Sequence, residues 1–250
     1  MKKCCLALMI LVGVLAFSGM TSASLIKIGT ASYDSNGDGT AEVYSLIYED
    51  VQKLIWFDYT KGCDSLQNQV NWASGLGGEL TVTLDSGFTT DINWGVGWRL
   101  PETPNGNYTY GYDGNSTAGF NITTSEMGYL YYMALGNLGY YDTAGNPQPA
   151  PSGEPSWGLK KTGPFDNLVA NMYWSGSGCS VDEDYAWYFN FNNGEQFADN
   201  QAGYAVFALA VRPGQVSGPG IVPLPGAAWL LGSGLVGLVG LRRKLSKKLK

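Results

Sequence analysis

The chain contains no histidine. That absence removes the Ser-His-Asp triad, the Cys-His dyad, the imidazole general base and every His-ligated zinc or haem site. Cysteine is scarce too. Four are present, and Cys4 and Cys5 fall in an apolar N-terminal run, so no thiolate zinc cluster is available. Charged residues make up only 14% of the chain and aromatics 13%, which is neither a disordered tail nor a coiled coil. There is no phosphate loop, no dinucleotide fingerprint and no fixed-period repeat. A length of 250 residues fits one ordinary domain with appendages.

The charge that is present is unevenly placed. Eight of the 15 basic residues lie at the ends, at Lys2, Lys3 and from Arg242 to Lys250. Seven remain against 21 acids, all internal, so the body between carries −14. An acidic body repels phosphates, which argues against nucleic-acid binding.

Both ends read as addresses. Lys2-Lys3 followed by uncharged Cys4–Phe17, with the small residues Thr21 and Ala23 at the −3 and −1 positions, is expected to be a secretory signal peptide over residues 1–23. At the other end, Val222-Pro223-Leu224-Pro225 leads into uncharged Gly226–Leu241 and then Arg242-Arg243-Lys244. As a helix, Gly226–Leu241 spans about 24 Å, and adding Ile221–Pro225 makes a transmembrane helix long enough for a thin bilayer. The basic cluster after it is expected to stay cytoplasmic. This ending resembles the PEP-CTERM protein-sorting signal in its Val-Pro-Leu-Pro variant. The resemblance covers residues 222–250. It implies a Gram-negative bacterium, processing by an exosortase near Pro223–Pro225, transient residence in the inner membrane, and delivery to the cell surface or exopolysaccharide matrix. The alternative is a permanent single-span anchor.

Between the ends, residues 24–215 read as one domain and 216–221 as a linker. Val43–Tyr48 and Leu54–Trp56 are expected strands. Leu66, Val70, Ala73 and Leu76 have helical spacing. Ser125–Leu135 reads as a second helix, with Ser125 as N-cap and Met127, Leu130, Tyr131 and Ala134 on one face. Ala186–Phe191 and Gln196–Phe197 flank Asn193-Gly194, a strong hairpin signal, and Tyr204–Val211 is a final apolar strand. The Pro-rich stretch Asn146–Ser156 is expected to be a surface loop. Two helices among short antiparallel strands suggest an α+β class.

A series of short motifs then stands in order. Tyr48-Glu49-Asp50 and Leu54-Ile55-Trp56-Phe57-Asp58 come first, then Asn71-Trp72-Ala73 and Trp98-Arg99-Leu100-Pro101. Ser125-Glu126-Met127, Gly163-Pro164-Phe165, Tyr173-Trp174-Ser175, Ala186-Trp187-Tyr188 and Ala210-Val211-Arg212-Pro213-Gly214 follow. This order resembles the Lcl C-terminal domain family, named for a bacterial collagen-like adhesin, across residues 49–214. The inserts Gly77–Val96 and Asn105–Ile122 depart from it. The resemblance implies a C-type-lectin-like fold, related to formylglycine-generating enzymes, and a role in adhesion or glycan binding. At −14, polyanionic glycosaminoglycans are disfavoured unless Arg99, Lys160 and Lys161 cluster.

Four constellations merit individual readings. Asp34, Asn36, Asp38, Thr40 and Glu42 resemble the start of a Ca²⁺ loop, although Ser45 stands where the bidentate Glu belongs; the alternative is an Asp/Asn/Gly turn. Cys63 and Cys179 are the only cysteines of the body, and in an exported protein a disulfide between them is expected, worth about 4–5 kcal/mol in the chain-entropy model. Trp98-Arg99-Leu100-Pro101 reads as structural, with Glu126 as the natural partner of Arg99. Asp182-Glu183-Asp184 is an acidic cluster that in principle serves a two-carboxylate hydrolase and more commonly is plain surface. The leading expectation is a non-enzymatic exported surface protein that binds glycan or protein. A carbohydrate-active hydrolase and a self-associating matrix component are the alternatives.

Overall fold

The computed structural model describes residues 23–180, 182–201 and 205–221. In chain order the elements are β1 (Leu25–Tyr33), β2 (Glu42–Glu49), β3 (Leu54–Asp64), α1 (Leu66–Glu79), β4 (Thr81–Leu84), β5 (Tyr110–Gly111), β6 (Ala118–Gly119) and α2 (Glu126–Tyr129). Then follow a π-helical turn (Leu130–Ala134), β7 (Met172–Gly178), β8 (Tyr185–Asn190), β9 (Glu195–Asn200) and β10 (Val206–Pro213). All ten strands join in one sheet of order β4-β1-β2-β3-β10-β7-β8-β9-β6-β5.

The apolar runs of β2, β3 and β10 are near-continuous because these central strands are covered on both faces. Successive side chains of a strand point to opposite faces. On one face Leu46, Tyr48, Ile55, Phe57, Ala208 and Ala210 pack with Ala73 and Leu76 of α1. On the other, Ile47, Leu54, Trp56, Leu209 and Val211 pack with Met127 of α2 and Leu130 and Tyr131 of the π-helical turn. Ile55 and Phe57 are fully buried, each contributing roughly 1.5–3 kcal/mol. Gln69, on the buried face of α1, donates to the carbonyls of Gly62 (2.7 Å) and Val206 (3.0 Å), pinning the helix to β3 and β10.

The structure corrects the expected α+β, C-type-lectin-like class: the protein is mostly β, and its helices are few beside the ten-stranded sheet. α1 forms where the spacing places it, with Ser65 capping the N–H of Asn68. The second helix is a single α turn that widens at once into a π turn, with the N–H of Leu135 reaching the carbonyl of Leu130. Five strands lacked a legible pattern, β5 and β6 being only two residues each. β1 is interrupted by a bulge between Lys27 and Gly29 and is rich in small residues. β4 has no fully buried residue, and β7 ends in Gly and Ser. At Gly29 the backbone of β4 comes so close that a β-carbon would run into the carbonyl of Thr83.

Among the described residues no helix is long and apolar enough to cross a membrane. The expected transmembrane helix and sorting motif (Val222, Pro223, Leu224, Pro225, Arg242, Arg243, Lys244) lie outside the described residues, as does the signal peptide apart from Ala23. Residues 216–221, expected as a linker, pack on the body instead. Val216 is buried, Ser217 exchanges two backbone hydrogen bonds with Thr89 (both 2.9 Å), and Ile221 rests against the core on the α1 side.

Candidate functional site

The β8–β9 hairpin turns at Asn193-Gly194, where Gly194 adopts φ 83° and its N–H reaches the carbonyl of Asn190 (2.8 Å). Beyond it, among the described residues, β9 pairs with β6 at Gly119↔Gln196. A cleft of about 450 Å³ lies along Phe197, Ala198 and Asp199. Tyr108, Tyr185, Cys179 and Asp182 complete its walls.

Each wall residue is held from behind. Tyr108 stacks on the fully buried Trp187 (centroids 6.0 Å, 14° between planes) and meets Phe197 edge-on (5.8 Å). The segment before Tyr108 is tied to the opposite wall, because Ser180 donates its N–H to the side chain of Asn105 and its hydroxyl to the carbonyl of Gly106. The opposite wall is closed by a backbone bond from the Cys179 N–H to Tyr185 (2.8 Å). Asp182 is exposed and Asp199 half-buried. Asp182 accepts from the N–H of Asp184 (2.9 Å) and Asp199 from the N–H of Asn200 (2.7 Å).

Aromatic rings continue from this cleft into a second, more open one of about 460 Å³ bordered by Tyr110, Tyr112, Asp113 and Asn115. Phe197 meets Tyr110 (6.2 Å), Tyr110 meets Tyr112 (5.8 Å), and Tyr112 stacks with Phe120 (6.1 Å). Tyr110 donates its hydroxyl to Glu195 (2.7 Å), and burial together with that bond pushes its ionisation far above the ordinary tyrosine value. Asp113 is held below the usual carboxylate range by the backbone N–H and side-chain amide of Asn115.

The residues singled out in the sequence sit elsewhere. Arg99 forms a bidentate pair with Glu126 (both contacts 2.7 Å), and its Nε lies 3.2 Å from Glu102, so it is fully engaged, while Lys160 lies 4.0 Å from Glu154 and Lys161 donates to the carbonyl of Gly136 (3.1 Å). Trp98 and Leu100 are core residues, and Pro101 is buried with them. The carbonyl of Pro101 accepts from the hydroxyl of Ser175 (2.9 Å) and the N–H of Gly176 (2.8 Å), which ties Trp98–Pro101 to Tyr173-Trp174-Ser175. Tyr173 and Trp174 are fully buried, the latter donating to the carbonyl of Asp64 (3.2 Å). These motifs build the frame and line neither cleft.

In the 34–42 loop the acids face their own backbone. Asp34 accepts from the N–H groups of Gly37, Asp38 and Gly39, Asn36 from Asp38, Asp38 from Thr40, and Glu42 from Ser35. Among the described residues no three carboxylates or thiols are grouped to hold a metal ion. Cys63 and Cys179 are both free thiols, Cys63 exposed at the end of β3 and Cys179 buried beside Trp187 and Ala198, so the expected disulfide is absent. Two acids are buried, and burial raises both: Glu49 caps the N–H groups of Val51 and Gln52, and Asp58 accepts from those of Asp166 and Asn167. Neither borders the two clefts.

Of the cleft residues, only Asp182 and Cys179 were singled out in the sequence. The period-two tyrosines Tyr108, Tyr110 and Tyr112, inside the insert that departs from the family pattern, carried the missed signal. Compared with known proteins, the chain matches no family model, no curated protein and no solved structure.

Proposed function

We propose that the chain is a non-enzymatic, exported surface or extracellular-matrix protein that binds glycan in the cleft beside β9. The observation that carries this reading is the cleft itself, which gathers three aromatic side chains and two carboxylates beside the β8–β9 hairpin. Sugar rings stack their apolar faces on aromatic rings while carboxylates and amides take their hydroxyls. Backing Tyr108 with Trp187 fixes the platform before the ligand arrives, which lowers the ordering cost of binding. Export and sorting rest on the two terminal segments of the sequence. They imply signal peptidase and an exosortase as processing partners and release from the inner membrane of a Gram-negative bacterium to the cell surface.

A screen of neutral, acidic and amine-bearing oligosaccharides against the full-length chain tests the binding. Retention of sugars that Phe197→Ala abolishes supports it, and no binding to any sugar ends it. Mass spectrometry of the cell-surface form tests sorting, since an intact Lys250 there is incompatible with exosortase release.

The second reading, a two-carboxylate hydrolase, draws on Asp182 and Asp199 lying in one cleft. It is disfavoured by their setting. A general acid needs apolar surroundings that keep it protonated, and these two are exposed and half-buried respectively. Turnover lost on Asp199→Asn would reverse the preference.

A further inference from the structure

We propose that the cleft beside β9 selects sugars bearing a protonated amine, an inference that rests on the glycan reading above and narrows it to amine-bearing polysaccharide. The cleft pairs aromatic surface from Tyr108, Tyr185 and Phe197 with two carboxylates and no basic side chain. Asp182 and Asp199 each engage a neighbouring backbone N–H through Oδ1, and among the described residues no hydrogen bond reaches Oδ2 of either. Among the described residues no lysine or arginine forms an ion pair with either. The ion pairs present join Arg99 to Glu102 and Glu126, and Lys160 to Glu154.

Covering two uncompensated carboxylates with a neutral sugar strips them of water and returns no charge. An acidic sugar adds repulsion. An ammonium group restores the balance: it donates to the free carboxylate oxygens, and the ring faces attract it as well. The adjoining cleft also sets Tyr110 and Tyr112 beside a carboxylate, Asp113, with no basic residue in its lining, and there both oxygens already accept from Asn115. A chain of amine-bearing sugars thus meets aromatic and acidic surface in both clefts, and the −14 body draws it in from a distance.

The test is calorimetry on the full-length chain with a glucosamine tetrasaccharide and its fully N-acetylated counterpart, at physiological salt and mildly acidic pH. The amine form is expected to bind about tenfold tighter or more, a difference of roughly 1.4 kcal/mol. Asp182→Asn and Asp199→Asn should each shrink that ratio, and the double variant should bring it close to one while binding of the N-acetylated sugar persists. Glu183→Gln, which removes a neighbouring charge outside the cleft wall, should leave the ratio unchanged and separates local pairing from overall charge. Circular-dichroism melting of each variant confirms folding.

Equal affinity for the two sugars in the parent overturns the amine selection and leaves glycan binding standing. A ratio that survives the double variant overturns the assignment of that selection to the cleft carboxylates. Tighter binding of pentalysine than of the amino sugar overturns the sugar assignment in favour of a basic peptide. No binding of either sugar removes the glycan reading and the amine selection together.

Discussion

Arg99 and Glu126 show what a paired charge does at the edge of a core. The guanidinium meets both carboxylate oxygens at 2.7 Å, and one of these oxygens also accepts the N–H of Glu102 (2.7 Å). Replacing Glu126 by Gln puts a donor against a donor and leaves Arg99 half-buried with a weakened partner. The expected loss is about 2 kcal/mol in urea unfolding. Glu49 gives a pH signature. Burial raises its pKa in the folded state, so between the ordinary glutamate value and the raised one the folded protein binds more protons than the unfolded. Its contribution is therefore present at low pH and lost as pH rises through that window. Glu49→Gln, which does not ionise, should gain stability relative to the parent as pH rises from about 4 to 7, read as a shrinking or reversing difference in melting temperature. A pH-independent difference would contradict the assignment. The Arg99–Glu126 pairing was legible because an arginine flanked by Trp98 and Leu100 needs an acid, and Glu126 opens the next helix. The aromatic cleft was not, since a tyrosine's spacing does not reveal what stands behind its ring.

Among the elements, long apolar runs announced themselves and quiet strands did not. β2, β3 and β10 are dense in Val, Ile, Leu, Phe and Trp because both of their faces are covered, and the sequence places all three. β1 and β7 depend on Gly, Ser and Thr at points of close approach, where backbone pairing and not side-chain pattern sets the strand. Missing them made the molecule look more helical than it is. The resemblance that suggested a lectin-like α+β fold rests on motifs that lie in the frame, such as Trp98–Pro101 and Tyr173–Ser175, and those pack equally well into a broad sheet. The hairpin between β8 and β9 was read correctly from Asn193-Gly194, and it supports the cleft. Gly194 has φ 83°, and an added β-carbon would sit 2.6 Å from the hydroxyl of Tyr132 and 2.9 Å from the α-carbon of Gly139. Gly194→Ala should cost about 1–2 kcal/mol or more from the left-handed backbone alone. Sugar affinity should fall together with stability, because the strand that carries Phe197 and Asp199 starts at this turn. Unchanged stability in chemical denaturation would show that the turn is softer than its packing implies.

At the scale of the whole molecule, the segment after β10 behaves as part of the fold. Val216 is 4% exposed, and Ser217 bridges to Thr89. A chain ending at Ile221 should melt like the full-length protein, whereas one ending at Gln215 should lose about 2 kcal/mol through the buried valine and the two backbone bonds. Equal melting of the two would show that the segment merely lies on the surface. The same segment brings the ends of the described body together. Ser24 pairs with Asp50 through its N–H and carbonyl, and a β-carbon on Gly220 would lie 3.7 Å from Ile26 on the neighbouring strand. Entry and exit thus share the β1 side of the sheet, while the cleft beside β9 lies six strand positions away along it. Both ends of the described body thus leave from one side of the sheet, and the cleft stands clear of them. Joining residue 221 to residue 24 through a short glycine linker and reopening the chain in the exposed turn near Gly37 would give a circular permutant with the cleft untouched.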